Sequence, residues 1–267
     1  VVNGAGKVAV VLGASAEAGT GWAVAQALAA AGARVMVAAR TLAPLQHLAE
    51  QIGGAAHRCD AGSEADIKAL ADATLARYGR LDIAVNAAGQ PVMGLIADIT
   101  QDMLDASARV NYYGLAFFIK YMAQAIGSDG SIVFISSMST THPVFPHVAY
   151  AAAKSAADCL VRYAALEYGP RNIRVNSILP GLINSDMARE AMANPAFSRA
   201  YAREIPLGRP AEPADIADAV LWLAGPSYVT GLNLQVNGGN HLRRFPTLDE
   251  IEGGAAAYGS GKVLGDR

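Results

Sequence analysis

The sequence predicts an α/β fold: one doubly wound parallel sheet of about seven strands, covered by helices on both faces. Two observations carry that expectation. Apolar runs of strand length alternate with helical patterns along almost the whole chain. The first strand and helix are joined by a glycine-rich turn, GASAEAGTG at 13–21. No Pro/Gly-rich linker and no internal repeat divides the chain. Residues 1–239 therefore read as a single domain, and 240–267 as a C-terminal extension.

KVAVVL (7–12) is the first apolar run, and after the turn WAVAQALAAAG (22–32) is helical. ARVMVAAR (33–40) is a second buried-strand candidate, and AAHRCD (55–60) a weak third. SEADIKALADATLARYG (63–79) is a helix with Ser63 as its cap and Asp66 three residues on. LDIAVNAAG (81–89) is a strand running into a turn, and a long helix covers about 101–126. GSIVFISS (130–137) is a strand, and 149–169 a helix. IRVNSILPG (173–181) is a strand closed by Pro-Gly. EPADIADAVLWLAG (212–225) is the last framework helix, and NLQVNG (233–238) the last strand. Residues 182–211 are a long excursion holding the short helical pattern SDMAREAM. A connection of that length in a compact domain usually serves as a lid or pocket wall.

The composition narrows the function classes. The chain is 52% apolar and 16% charged, which is globular rather than disordered. A formal net charge of -2 without a basic stripe argues against nucleic acid as a partner. There is no run of 18 apolar residues and no signal-peptide pattern, so no membrane partner is expected and a cytoplasmic location is. Cys59 and Cys159 lack a metal-type spacing and read as two buried thiols.

In a parallel sheet the first strand–helix turn can hold a dinucleotide pyrophosphate, because backbone N–H groups and the helix N-terminus carry partial positive charge. Gly13, Gly19 and Gly21 permit this, and they would equally serve a turn built for tight packing. The second strand ends in Ala39 and Arg40, with no acid. A basic group there favours a ribose 2′-phosphate, hence NADP over NAD. Glu17, inside the turn, is the contrary sign, and Arg40 is otherwise a surface residue.

PHVAYAAAKSAADCL (146–160) sets Tyr150 and Lys154 one helical turn apart on the same face. An ammonium beside a phenol favours the phenolate, and such a pair can move a proton to or from an alcohol oxygen. In isolation the pair reads as a packed tyrosine and a solvated lysine, and the rest of the chain reverses that. Ser137 ends the strand 130–137, and ligands in parallel sheets bind at carboxyl ends of strands, where Ser137 could meet the same oxygen.

With NAAG at 86–89, Asn111, SS at 136–137, YAAAK at 150–154, PG at 180–181 and VNGG at 236–239, the sequence resembles the short-chain dehydrogenases/reductases. The resemblance spans about residues 7–239 and implies a Rossmann-like single domain. It implies Tyr150 as acid/base and Lys154 as the ribose-binding group that lowers the Tyr150 pKa. Ser137 would orient the substrate oxygen, and Asn111 would hold a relay water. It adds Asp60, Asn86, Gly89, Ile183 and Ser185 as cofactor contacts, which with Lys154 and Tyr150 join Gly13, Ser15, Gly19, Gly21, Arg40, Pro180 and Gly181 as the candidate cofactor-binding residues. The family's turn is T-G-x-x-x-G-x-G. Here Leu12 stands for the Thr and two extra residues follow Gly13, which could carry Glu17 to the ribose. Ser185 replaces the usual Thr, and Asn237 replaces a usual acid.

The expected reaction is hydride transfer between a nicotinamide cofactor, NADP(H) favoured and NAD(H) open, and a secondary alcohol or ketone. Met93, Met138, Val144, His147, Met187 and Met192, with Phe197 and Tyr201, are the candidates for an apolar, adaptable substrate pocket. An uncharged, fairly hydrophobic substrate follows, although Arg189 or Arg203 could hold a carboxylate. His142 and His147, spaced H-x4-H without a third ligand, do not suggest a metal. The alternatives are a 3-ketoacyl-thioester reductase and a non-catalytic dinucleotide-binding sensor or structural protein. The resemblance implies a homotetramer built on the long helices and on the last helix and strand.

Overall fold

A computed structural model gives the structure of the protein and describes residues 3–186 and 188–251. Seven parallel strands form one sheet in the order β3-β2-β1-β4-β5-β6-β7. They are β1 (Val8–Leu12), β2 (Arg34–Ala39), β3 (Ala55–Arg58), β4 (Ile83–Asn86), β5 (Gly130–Ile135), β6 (Ile173–Pro180) and β7 (Asn233–Val236). Every pairing is parallel, so each connection must cross over the sheet. The order reverses between β1 and β4, and a crevice opens there at the carboxyl ends of the strands.

Alternation along the strands feeds two cores. Val8, Val10 and Leu12 point to one face. There they pack with Ile67 and Leu70 of α3 (Glu64–Tyr78), Phe118 and Met122 of α5 (Gly114–Ile126), and Val161 of α6 (Val148–Tyr168). Ala9 and Val11 point to the other, against Val24 and Leu28 of α1 (Thr20–Ala30), Leu45 and Leu48 of α2 (Leu42–Ile52), and Val220 and Leu223 of α9 (Pro213–Ala224). Residues in β1 and β5 are all buried, which is why those runs carry no polar alternation. Ser63 caps α3 by accepting the Asp66 N–H at 3.2 Å.

Three features depart from the sequence reading. Leu42–Ile52 is a helix, with Leu45, Leu48 and Ala49 turned inward and Gly53 in the left-handed conformation (φ 62°) at its end. The long helix is interrupted. α4 (Gln101–Ala108) passes through a π turn at Arg109–Tyr113 into α5, and Asn111 sits in that turn. Cys59 is buried, but Cys159 is exposed, because it follows buried Asp158 around α6 onto the solvent side.

The excursion is pinned at its neck. Asn184 N–H donates to the Ala211 carbonyl at 2.7 Å, and Ala211 N–H to the Leu182 carbonyl at 2.9 Å. Between these lie α7 (Arg189–Met192) and α8 (Pro195–Glu204). Beyond β7 the chain returns to α8. The buried Asn240 amide donates to the carbonyls of Glu204 (3.0 Å) and Arg244 (2.9 Å), and Arg244 pairs with Glu204 at 3.2 Å. A short helix, α10 (Leu248–Ile251), follows. The rest of the extension, 252–267, lies outside the described residues.

Candidate active site

The carboxyl ends of β1, β2, β4, β5 and β6 open onto one cleft of about 1050 Å³. Gly13, Ser15, Gly19 and Gly21 form its floor beside β1. Gly13 has φ +93°, and a Cβ there would meet the Ala88 nitrogen at 2.5 Å. A Cβ on Gly21 would collide with the Gly13 carbonyl oxygen. The N-terminus of α1 has no side-chain cap and no acid in its first turn, so its free N–H groups face an anion site without competition. That bare cradle fits a dinucleotide pyrophosphate. Glu17 is exposed and is not part of the cleft wall.

Beyond the cradle the wall continues through Ala39, Arg40, Thr41, Cys59, Asp60 and Ala61. Burial works against a charge on Asp60. The Gly62 N–H, the Arg109 guanidinium at 3.0 Å and the positive charge of Arg40 outweigh it and hold the carboxyl below its ordinary value. Burial, with Asp66 and Asp60 nearby, pushes the Cys59 thiol up to about 12, so this cleft cysteine is not a thiolate nucleophile.

Across the switch point Tyr150 and Lys154 stand on α6, and Ser137 follows β5. Lys154 is 1% exposed, and its Nζ donates to the Ile135 carbonyl at 2.7 Å while lying 4.3 Å from the centre of the Phe134 ring. Burial lowers its pKa to about 7, and Asp158 opposes that shift. Against the expectation that Lys154 lowers it, burial pushes the Tyr150 phenol up to about 12, with Ser137 pulling down and Asp158 pushing up. Ser137 Oγ accepts from the Ser139 N–H (3.2 Å) and the Ser139 hydroxyl (2.9 Å), which leaves its own hydrogen free to donate. Asn111 is fully buried. Its amide donates to the Gln90 carbonyl (2.9 Å) and its Oδ1 accepts the Gln90 N–H (3.1 Å), so the side chain clips the segment after β4 in place. A Cβ on Gly89 would stand 3.6 Å from Lys154 Nζ and 3.7 Å from Asn111 Oδ1, so the bare glycine leaves a gap between those two groups.

Pro180, Gly181, Ile183 and Ser185 line the cleft after β6. Asn86 does not. It is buried behind the floor, where its Oδ1 accepts the Ala88 N–H at 3.0 Å and shapes the turn. On the substrate side Met93, Val144, Phe145, His147, Phe197 and Tyr201 line the wall. Burial lowers the His147 pKa, and its Nδ1 lies 3.3 Å from the Phe145 carbonyl, which assigns the proton to Nδ1 and leaves Nε2 as an acceptor. Two methionine expectations are corrected. Met138 is fully buried in the core, because the 3₁₀ turn after Ser137 directs it inward, and Met192, on α7, is not in the wall. Met187 lies outside the described residues. Arg189 and Arg203 are also absent from the wall, and Arg189 pairs with Asp186. Asp186 and Glu190 line it instead. Sequence reasoning missed Gln90, Phe245 and Ile251. The last two come from the extension, and Phe245 packs edge-on to Tyr201 with ring centres 6.1 Å apart. Among the described residues no cluster of His, Cys, Asp or Glu could hold a metal, and no helix is long and apolar enough to cross a membrane.

The family profile described as Enoyl-(Acyl carrier protein) reductase matches residues 13–241. A 2,5-dichloro-2,5-cyclohexadiene-1,4-diol dehydrogenase of Sphingobium indicum is 37% identical, over 88% of this chain and 96% of its own. A 7alpha-hydroxysteroid dehydrogenase of Escherichia coli is 35% identical, over 88% and 94%. A solved short-chain type dehydrogenase/reductase from Mycobacterium ulcerans superposes with TM-score 0.89 at 31% identity, over 96% of this chain and 98% of that one.

Proposed function

The chain belongs to the short-chain dehydrogenase/reductase family, and from that membership we propose that it interconverts an uncharged, fairly hydrophobic secondary alcohol and its ketone, with NADP(H) favoured over NAD(H). The bound nicotinamide supplies or accepts the hydride. The chain's own residues position the substrate and handle the proton. In reduction Tyr150 gives its phenolic proton to the carbonyl oxygen, and in oxidation it takes it back. Ser137, with its hydrogen free, donates to the same oxygen. Lys154, fixed to the Ile135 carbonyl one turn from Tyr150, would supply the positive charge that favours phenolate and would hold the ribose hydroxyls of the cofactor. Its proton would be replenished by a water in the gap at Gly89, beside Asn111.

The observation that carries this reading is the buried Lys154, hung from a strand-end carbonyl beside Tyr150 at the floor of the cleft. Solvating a lysine is easy, and burying one without a carboxylate at contact distance is costly, so the site invests in this ammonium. The apolar wall of Met93, Val144, Phe197 and Phe245, with Asp186 and Glu190 at the lid, supports a neutral substrate over an anionic one. The names of the two dehydrogenases compared above, which both denote ring alcohols, support a cyclic secondary alcohol among the alcohols to be tried. A 3-ketoacyl thioester on a phosphate-bearing carrier would want a basic entrance. Of the arginines at 199–209, Arg209 is engaged by Asp215 at 2.7 Å. The exposed Tyr163 and Leu166 on α6 and Trp222 on α9 support assembly into a homotetramer.

The test is oxidation of a panel of cyclic secondary alcohols, and reduction of ketones and 3-ketoacyl thioesters, by the protein and by Tyr150→Phe. Turnover of the ring alcohols that vanishes in Tyr150→Phe, with cofactor binding retained, is expected. Cofactor binding with no turnover of any substrate would instead make the protein a sensor.

A further inference from the structure

Among the described residues Asp158 is the one carboxylate buried beneath the cleft that the reaction above leaves without a task. It is 5% exposed and lies one helical turn beyond Lys154, so Tyr150, Lys154 and Asp158 form a single row along α6. A buried carboxylate needs donors. Its environment supplies them in one direction. Arg162, on the exposed side of α6, can only donate, and its Nη1 lies 2.9 Å from Asn233 Oδ1. That contact fixes the Asn233 amide, whose Nδ2 then donates to Ser177 Oγ at 2.5 Å. Ser177 Oγ, already an acceptor, donates its hydrogen to Asp158 Oδ1 at 3.0 Å. Every bond points at the carboxylate, and the relay starts at a permanent cation.

We propose that Asp158 is a positioning residue whose carboxylate, kept ionised by the relay from Arg162 through Asn233 and Ser177, holds Lys154 in its charged form at the floor of the cleft. This inference rests on the proposed function for its catalytic consequence. The groups facing Lys154 are Tyr150 and Asp158 from α6, the Phe134 ring and Ile135 carbonyl from β5, and Asn111 Oδ1 across the Gly89 gap. Asp158 is the only anion among them. Those facing Asp158 are Lys154 on its own helix, Ser177 from β6, and the hydroxyls of Ser136 and Thr140 at and after the end of β5. Burial raises the Asp158 pKa, and Ser136, Ser177, Thr140 and Lys154 oppose that. Asp158 also disfavours the Tyr150 phenolate directly. Lys154 is one turn from the phenol and Asp158 two, so the lysine charge prevails.

Asp158→Asn preserves the shape and removes the charge. The first readout is the melting temperature of the cofactor-free protein against pH. Folded Lys154 releases its proton near 7 while the unfolded chain keeps one to the ordinary lysine value, so stability rises with pH through that window and is lost as pH falls back towards 7. In Asp158→Asn the rise is expected to begin about one pH unit lower. The second readout is kcat and KM for alcohol oxidation. At neutral pH kcat should fall about tenfold and its limb move to higher pH, with KM for the alcohol unchanged. Ser177→Ala, which removes a donor but keeps the carboxylate, should shift both readouts the same way by less, and it decides the matter if Asp158→Asn does not fold. An unmoved melting onset, or a kinetic limb that moves to lower pH, overturns the proposal. A wild-type protein without turnover, with the onset still lower in Asp158→Asn, would sink the proposed function and leave the Asp158–Lys154 coupling standing.

Discussion

The ammonium of Lys154 donates a 2.7 Å hydrogen bond to the carbonyl of Ile135, the last residue of β5. One bond thus ties the active-site face of α6 to the strand that delivers Ser137. Lys154→Met removes the charge and leaves that carbonyl without its donor. The expected result is a fall in kcat of roughly 10²–10⁴-fold, together with loss of some thermal stability. Steady-state kinetics beside a melting curve check it. A variant as active as the parent would remove Lys154 from the mechanism.

Gly21 packs against the Gly13 carbonyl so closely that any Cβ must displace the turn. Gly21→Ala is therefore expected to cost about 2 kcal/mol through overpacking and to weaken dinucleotide binding. Gly53→Ala is the control. It sits at a helix end with open space around it and φ +62°, so it should lose stability through backbone strain alone and leave cofactor binding intact. Fluorescence titration and thermal melts of both separate the two effects. Equal cofactor affinity in Gly21→Ala and the parent would show that the turn does not hold the cofactor.

The strands are readable because the sheet is covered on both faces, which turns β1 into an uninterrupted apolar run and leaves Ser131 as the one polar residue of β5. Tyr150, Lys154 and Ser137 line the same cleft because helix geometry sets the first two on one face and a strand end carries the third, and only the motifs along the rest of the chain lift the pair above a packed tyrosine and a solvated lysine. Leu45, Leu48 and Ala49 of α2 carried a helical spacing, but in a short segment behind Pro44. The remaining gaps are tertiary. Met138 follows Ser137 in the chain, yet the 3₁₀ turn sends it into the core. Phe245 and Ile251 reach the cleft only because Asn240 and Arg244 fasten the extension to α8. The hydroxyl that donates to Asp158 comes from Ser177 of β6 and is itself held by Asn233 of β7.

Phe245 closes the substrate side by packing on Tyr201, which in turn stacks against Phe197 with ring centres 4.5 Å apart. Such aromatic pairs contribute about 0.5–1.5 kcal/mol beyond their buried area. Phe245→Ala should raise KM for bulky ring alcohols several-fold and change KM for small ones little, because only the larger substrates reach that wall. A panel graded by ring size measures it. A uniform change across the panel would mean that Phe245 merely stabilises the extension.

Arg40 stands where β2 ends, in the cleft wall, next to Asp60. A carboxylate at a strand end would accept a ribose hydroxyl and repel a phosphate, and a guanidinium does the reverse. Glu17 gives no counterargument in the folded chain, since it is exposed outside the cleft wall. The protein should therefore bind NADPH more tightly than NADH. Arg40→Ala should erase roughly tenfold or more of that preference, about 1.4 kcal/mol or above, by weakening NADPH and leaving NADH unchanged. Because Arg40 and its partner phosphate would be solvent-exposed, the preference should also shrink as salt is raised. Fluorescence titration of both nucleotides with both proteins at two ionic strengths reads all three effects. If NADH binds at least as tightly as NADPH and Arg40→Ala changes neither, Arg40 is a surface residue, and the protein is better matched to NAD and to the oxidation of its alcohol.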